Sequence, residues 1–165
     1  MATGVDPRAV GGRGKALTQA LCHSATTTME PIVQLISAGV FEQYPALHAV
    51  TVESGVGWIP WCVNQMDHYF RAHHMWVRPV LPEPPSFYFR RNCAATFIEE
   101  PEILPLMMEL GFEDNILWSS DYPHHEGVWP HCLASIERQL GSFSEIQRQK
   151  ALGLNAQRIF KIKAR

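Results

Sequence analysis

The residues best suited to chemistry lie together in the segment NILWSSDYPHHEGVWP, which spans residues 115 to 130. Its apolar run, residues 116 to 118, is followed by two serines, by Asp121 and then by His124, His125 and Glu126. A short apolar run bounded by turn residues predicts a buried strand of a parallel sheet, and α/β folds place their reactive groups at the carboxyl ends of such strands. Asp121 is therefore the first candidate for metal binding or proton transfer, and the alternative is that it only begins a turn with the Tyr-Pro pair behind it.

Composition limits the classes of function that are open. The chain has 165 residues, 46% hydrophobic and 18% charged, which is typical of one packed domain. A formal net charge of -2 provides no basic field for nucleic acid or for a membrane surface. We expect no membrane span and no signal peptide, because no long apolar run occurs. The 4 cysteines form no CxxC pair, so cytosolic thiols and a cytoplasmic location are the simplest expectation.

The elements that must position Asp121 alternate between helix and strand. Residues 1–28 are predicted to be weakly structured, and residues 29–165 to form the domain. Helical spacing predicts helices over 30–44, 58–70, 99–111, 133–140 and 143–162, with Gly111 as a C-cap and Ser144 as an N-cap. Strand character is found at 47–52, 87–97 and 116–118, with an irregular connection over 71–86. Such alternation predicts an α/β fold with a parallel sheet, and the sequence contains no GxGxxG or P-loop for a nucleotide.

Three blocks of sequence carry a resemblance to a known family. GVFEQYP (39–45), VESGVGWIPW (52–61) and ILWSSDYPHHEG (116–127) resemble the amidohydrolase-related proteins, as does the final helix with Asn155-Ala156 and Ile159-Phe160. That family contains metal-dependent TIM-barrel hydrolases and decarboxylases, including aminocarboxymuconate-semialdehyde decarboxylase. A TIM barrel needs about 250 residues. The resemblance therefore implies a partial (β/α)8 barrel consisting of about the last three strand–helix units.

The resemblance also implies the residues of the site. Asp121, at the end of the eighth strand of the barrel, matches a metal-site position and would act as a ligand or as a base. Glu53, at the end of the sixth strand, would be a second ligand for zinc or manganese, or would bond to another ligand; alternatively, it caps the helix that begins near Gly57. His124 is expected to contact the substrate, with His125 in solvent. Arg91 is expected to bind a substrate carboxylate, and the alternative for it is a solvated position at an irregular strand.

Two functions remain open at this point. The first is a metal-dependent hydrolase or decarboxylase acting on a small organic acid or cyclic substrate. The second is a non-catalytic half-barrel that pairs with itself or with a separate N-terminal half, because unpaired strand edges invite partners. The family's His-x-His metal pair occurs nowhere in this sequence, which counts against independent catalysis.

Other residue clusters are predicted to have structural roles. Asp67, His68, His73 and His74 match no zinc spacing and are expected on the surface. The tryptophans at 58, 61 and 76 are expected in the core, and the cysteines are expected to be unreactive.

Overall fold

The computed structural model describes residues 24–73 and 81–163, with side chains from residue 27 onward. The strands are short and are listed here by their bounds: β1 Ala49–Thr51, β2 Cys93–Phe97 and β3 Ile116–Trp118. The helices are α1 Ser24–Ser37, α2 Val40–Gln43, α3 Ile59–Ala72, α4 Pro85–Asn92, α5 Leu104–Glu109, α6 Cys132–Leu140, α7 Glu145–Gln149 and α8 Asn155–Phe160, with a π-helical turn, Lys150–Leu154, between the last two.

The three strands form one parallel sheet in the order β1-β2-β3. Ala49 pairs with Cys93, and Ala95 pairs with Ile116. Parallel strands in chain order need a helical crossover between them, which α3, α4 and α5 provide. The predicted α/β alternation with a parallel sheet is confirmed, and the strands predicted at 47–52 and 116–118 are both present, the first of them shortened at both ends.

Alternate side chains of the strands pack into two hydrophobic clusters, one on each face of the sheet. Cys93, Ala95 and Phe97 point into the main hydrophobic core, which the sheet shares with the helices packed on it. Ala94 and Leu117 point to the other face, where the C-terminal helix covers them with Ile159. The sheet is therefore buried on both faces over its amino-terminal part, as the apolar sequence of β3 predicts.

Two predicted elements, the helix over 30–44 and the strand over 87–97, are correct only in part. The helix expected over 30–44 begins earlier and breaks at Gly39, whose φ of 72° lies in the left-handed region that favours glycine. Residues 87–92, expected to be strand, form most of α4 instead. Pro85 in the first turn of α4 explains the difference, because proline is preorganised for a helix start and the helix then buries Tyr88 and Phe89.

The last third of the chain follows the prediction more closely. Ser144 caps α7 in a full capping box with Gln147, as its position before the helix predicted. Gly111 has a φ of 71° just beyond α5, and the amide of Phe112 reaches back to the Met107 carbonyl at 2.8 Å. The helix expected over 143–162 is interrupted by the π-helical turn.

Three buried asparagines tie the amino-terminal ends of the strands to the surrounding chain. Asn92 donates to the carbonyls of Pro45 and Leu47, and Asn115 donates to the Cys93 carbonyl at 2.7 Å. Asn155 donates to the Glu113 and Ile116 carbonyls. All three side chains are 1% exposed, and their bonds satisfy backbone carbonyls that are buried or partly buried.

Within residues 24–73 and 81–163, no helix is long and apolar enough to cross a bilayer.

Candidate active site

The candidate site lies at the carboxyl-terminal edge of the sheet. Glu53 comes two residues after β1, Glu99 and Glu100 follow β2, and Asp121 comes three residues after β3. Since the strands are parallel and adjacent, these acidic residues follow the same edge. The sequence predicted Glu53 and Asp121 for this edge but missed the pair behind β2, because these two residues were assigned to the helix expected over 99–111.

Asp121 is held in an uncommon backbone conformation. Its φ is 56°, which non-glycine residues adopt mainly in special turns, and its side chain is half-buried. Its amide contacts the Ser119 hydroxyl at 3.2 Å, and the next amide, of Tyr122, lies 3.4 Å from the Ser120 hydroxyl. The two serines that follow β3 therefore accept from the backbone on either side of the carboxylate. Asp121 does begin a turn, so the turn and a functional role are compatible.

The segment after Asp121 folds back on the end of β3. The amide of Val128 donates to the Ser120 carbonyl at 3.0 Å, and that of His124 donates to the Asp121 carbonyl at 2.8 Å. Gly127 lies so close that a Cβ built on it would be 2.5 Å from the Ser120 carbonyl oxygen. Only a residue without a side chain fits there, so Gly127 helps to fix the backbone that carries Asp121.

Glu53 also has a positive φ, of 60°, and its side chain is exposed. Its amide donates to the Thr96 hydroxyl at 3.1 Å, which links the end of β1 to β2. The alternative role of a helix cap is wrong, because α3 starts behind Trp58 and no side chain caps it. The backbone amides before α3 bond to Glu100 instead.

The two histidines behind Asp121 are exposed. His125 is 91% exposed and lies 3.7 Å from the carboxylate of Glu126, which agrees with the solvent position expected for it. His124 is tied to Asp121 through its backbone amide, so its backbone lies near the same edge of the sheet. The contact of His124 with Asp121 is through the backbone, and the role of the His124 side chain as a substrate contact stays a prediction.

Arg91 is not part of this edge, and its predicted role needs correction. It lies in α4, before β2 begins, at the amino-terminal end of the sheet. Its guanidinium donates to the Phe41 carbonyl at 2.6 Å and lies 5.0 Å from the ring centroid of Phe87. These contacts anchor it far from the end of β3, so Arg91 has a structural role in joining α2 to α4.

The remaining predicted surface and core residues have mixed outcomes. His68 and His73 are exposed beside the ring of Tyr69, as expected for surface residues. Trp58 packs edge-on against Phe89, whereas Trp61 is 62% exposed and so does not belong to the core. His74, Trp76 and Cys22 lie outside the described residues.

Two of the cysteines are buried, and burial weakens their acidity. It raises the pKa of Cys62 to about 11 and that of Cys93 to about 12. Both thiols are therefore protonated at neutral pH, which disfavours reactions that need a thiolate.

Carboxylates such as those of Glu53 and Asp121 are suitable ligands for a divalent metal, but the described residues bring too few ligands together to bind one. Carboxylate oxygens suit manganese and magnesium, and also zinc. Glu53 and Asp121 follow the two outer strands, which at about 4.8 Å per strand lie about 10 Å apart. Within 24–73 and 81–163, no three His, Cys, Asp or Glu side chains come together closely enough to hold a metal ion. A complete metal site would need further ligands next to Asp121.

Known proteins resemble the chain in sequence and in structure. It is 29% identical to a gamma-resorcylate decarboxylase of Polaromonas over 137 residues, which are 79% of this chain and 39% of that protein. An amidohydrolase from Mycobacterium avium subsp. paratuberculosis superposes with a TM-score of 0.72 at 27% identity, over 87% of this chain and 35% of the other. A Polaromonas dihydroxybenzoic acid decarboxylase, solved with manganese and 2-nitroresorcinol, has the same fold at a TM-score of 0.63 and 24% identity, over 97% of this chain and 50% of the other.

The matches cover only part of the known proteins. The chain spans about 39% of the length of the Polaromonas decarboxylase it matches, so part of that enzyme's fold has no counterpart here. The three-stranded sheet agrees with part of an amidohydrolase barrel. The family model for amidohydrolases matches residues 3–162, which extends the likeness beyond the sequence blocks that first indicated it. The chain therefore belongs to the amidohydrolase-related family of metal-dependent hydrolases and decarboxylases.

Proposed function

We propose that this chain forms one part of the active site of a metal-dependent decarboxylase whose substrate is a dihydroxybenzoate. In this proposal β1, β2 and β3 are the sixth, seventh and eighth strands of a (β/α)8 barrel. The observation that carries it is the position of Asp121, held by its neighbours at the carboxyl end of β3 in a chain 29% identical to a gamma-resorcylate decarboxylase. This is the edge at which TIM barrels place their catalytic residues.

Three residues of this chain have proposed roles in the decarboxylation. Decarboxylation breaks the bond between the ring and the carboxyl carbon, releases CO2 and adds one proton to the ring carbon. Asp121 has two proposed roles, as a ligand that holds the metal or as the carboxyl group that carries this proton. Glu53 is proposed as a second carboxylate for the metal, and His124 as a contact to the substrate. When bound, the metal supplies positive charge that holds the oxygens of an aromatic acid.

Manganese is the proposed metal, with zinc as the alternative. Oxygen donors are the ligands that manganese prefers, and both candidate ligands of this chain are carboxylates. The described residues bring together fewer donors than a metal site needs, so in this proposal the remaining ligands come from strands other than β1, β2 and β3. In the proposed enzyme these other strands pair with the edges of the sheet and complete the barrel.

The test supplies the missing strands. The 165-residue chain is mixed with a separately produced N-terminal portion of the Polaromonas gamma-resorcylate decarboxylase, and loss of gamma-resorcylate is followed with added Mn²⁺. We expect turnover only in the mixture, abolished by Asp121→Asn and retained in the matched control Glu126→Gln, which changes an exposed carboxylate of the same loop. A mixture that co-elutes as a stable complex but shows no turnover would contradict the proposal.

A second candidate function rests on the edges of the sheet. In the part of the chain that the structure describes, β1 and β3 each pair on one side only, and Val52 at the end of β1 is 62% exposed. Unpaired parallel edges favour association, so we also propose a non-catalytic half-barrel that dimerises. Sedimentation of the chain alone tests this, because a stable dimer that neither binds Mn²⁺ nor combines with the N-terminal portion would favour the second function.

A further inference from the structure

The loop after β1, residues 53–57, is held by Thr96 of β2 and by Glu100 just behind β2. Neither residue was predicted from the sequence. At its start, the amide of Glu53 donates to the Thr96 hydroxyl at 3.1 Å. At its end, the amides of Val56 and Gly57 donate to one carboxylate oxygen of Glu100, at 2.9 and 3.1 Å. The conformation of this loop thus depends on β2 at one end and on the segment just behind β2 at the other.

The loop is shaped to receive the Glu100 carboxylate. The φ of Gly55 is +66°, and a Cβ built on it would be 1.9 Å from the other carboxylate oxygen, Oε1. That oxygen also lies 3.2 Å from the Val56 amide. Glycine at this position therefore lets the carboxylate reach the amides and lets the backbone turn as it does.

Glu100 is itself fixed by a buried side chain of α6. The Glu100 amide donates to the Gln139 side-chain oxygen at 2.8 Å, and the Gln139 side-chain nitrogen donates to the Ile98 carbonyl at 2.7 Å. Gln139 is 3% exposed, and both bonds are partly buried. The carboxylate is thus carried by backbone that cannot shift without breaking these hydrogen bonds.

From this geometry we propose that Glu100 is a positioning residue for Glu53. Its carboxylate holds the loop so that the Glu53 backbone keeps its positive φ at the carboxyl edge of the sheet. This inference rests on the proposed function in one respect, namely the role of Glu53 as a metal ligand. The competing role for Glu100 is structural, since a carboxylate near the start of α3 also stabilises that helix.

Amide hydrogen exchange on the 165-residue chain separates the two roles. Glu100→Gln removes the charge and places an NH2 group against amides that need an acceptor, whereas the control Glu102→Gln changes an exposed neighbour. In Glu100→Gln we expect exchange to rise about tenfold or more at Val56, Gly57 and Glu53 alike, because hydrogen bonds to a charged acceptor are lost. Exchange across α3 from 63 to 70 should stay unchanged. Faster exchange that spares the Glu53 amide would overturn the proposal.

Manganese affinity provides the second readout, measured on the two-part assembly by titration. We expect Glu100→Gln to weaken binding about tenfold in the wild-type background and to add no further loss when Glu53 is already glutamine. An equal loss in both backgrounds would show that Glu100 does not act through Glu53. If the wild-type assembly binds no manganese, the proposed metal function fails, and the exchange result alone decides whether Glu100 positions the loop.

Discussion

Replacing Asn155 with alanine should destabilise the fold without touching the candidate site. Asn155 lies in the C-terminal helix, is 1% exposed, and donates to the Glu113 carbonyl at 2.8 Å and to the Ile116 carbonyl at 2.9 Å. Ile116 begins β3, so this amide ties the last helix to the strand that carries Asp121 at its other end. The blocks of sequence that indicated the family include this asparagine, and the structure gives its physical role.

The size of the effect follows from the burial of the two carbonyls. A buried polar group left without its partner costs about 1–3 kcal/mol. The Ile116 bond is fully buried and the Glu113 bond partly so, which gives about 2–4 kcal/mol for losing both. Against a total stability of about 5–15 kcal/mol for a natural domain, this is a large fraction.

Urea unfolding followed by circular dichroism measures this prediction, with the midpoint and slope fitted for each variant. Asn155→Asp should cost more than Asn155→Ala, because it removes the donor and places a carboxylate against two carbonyls. The control Gln157→Ala, an exposed residue of the same helix, should stay within about 0.5 kcal/mol of wild type. A loss below about 0.5 kcal/mol for Asn155→Ala would refute the claim that these two bonds hold the helix to β3.

Three further predictions follow from individual contacts. Gly127→Ala should displace the backbone next to Asp121, since the new Cβ meets the Ser120 carbonyl at 2.5 Å, and should cut turnover of the two-part enzyme at least tenfold; turnover equal to wild type would contradict this. In Cys93→Ala the free energy of unfolding should decrease less steeply with pH above pH 9 than in wild type, because burial raises the pKa of Cys93 to about 12. An unfolded thiol loses its proton there and the folded one keeps it, so wild type should lose about 1.4 kcal/mol more per pH unit than the variant in urea unfolding between pH 9 and 11. Ser144→Ala should cost about 1 kcal/mol in the same assay, because the capping box with Gln147 is lost, and an unchanged midpoint would exclude that role.

Local signals explain what could be predicted from the sequence. The strand before Asp121 is an uninterrupted apolar run, and Ser144 stands where a helix must begin, so both were identified correctly. Parallel pairing then follows from the alternation of elements, and with it the common edge that Glu53 shares with Asp121.

The residues that were missed or misplaced depend on contacts between distant parts of the chain. Arg91 was assigned to the wrong end of the sheet, because the aromatic segment before it has strand propensity and only packing makes it a helix. Glu100 could not be found because its amide partners are more than 40 residues away in sequence. The one local signal was Gly55, whose positive φ makes room for that carboxylate.

The most direct test of the account is manganese binding by the two-part assembly, measured from the electron paramagnetic resonance signal of free Mn²⁺. We predict one tightly held ion in the wild type and in Glu126→Gln. For Asp121→Asn we predict at least a tenfold loss of affinity if Asp121 is a ligand, and retained metal without turnover if it only carries the proton. An Asp121→Asn assembly that binds manganese as wild type does and decarboxylates gamma-resorcylate at the wild-type rate would contradict the central claim that this strand end belongs to the active site.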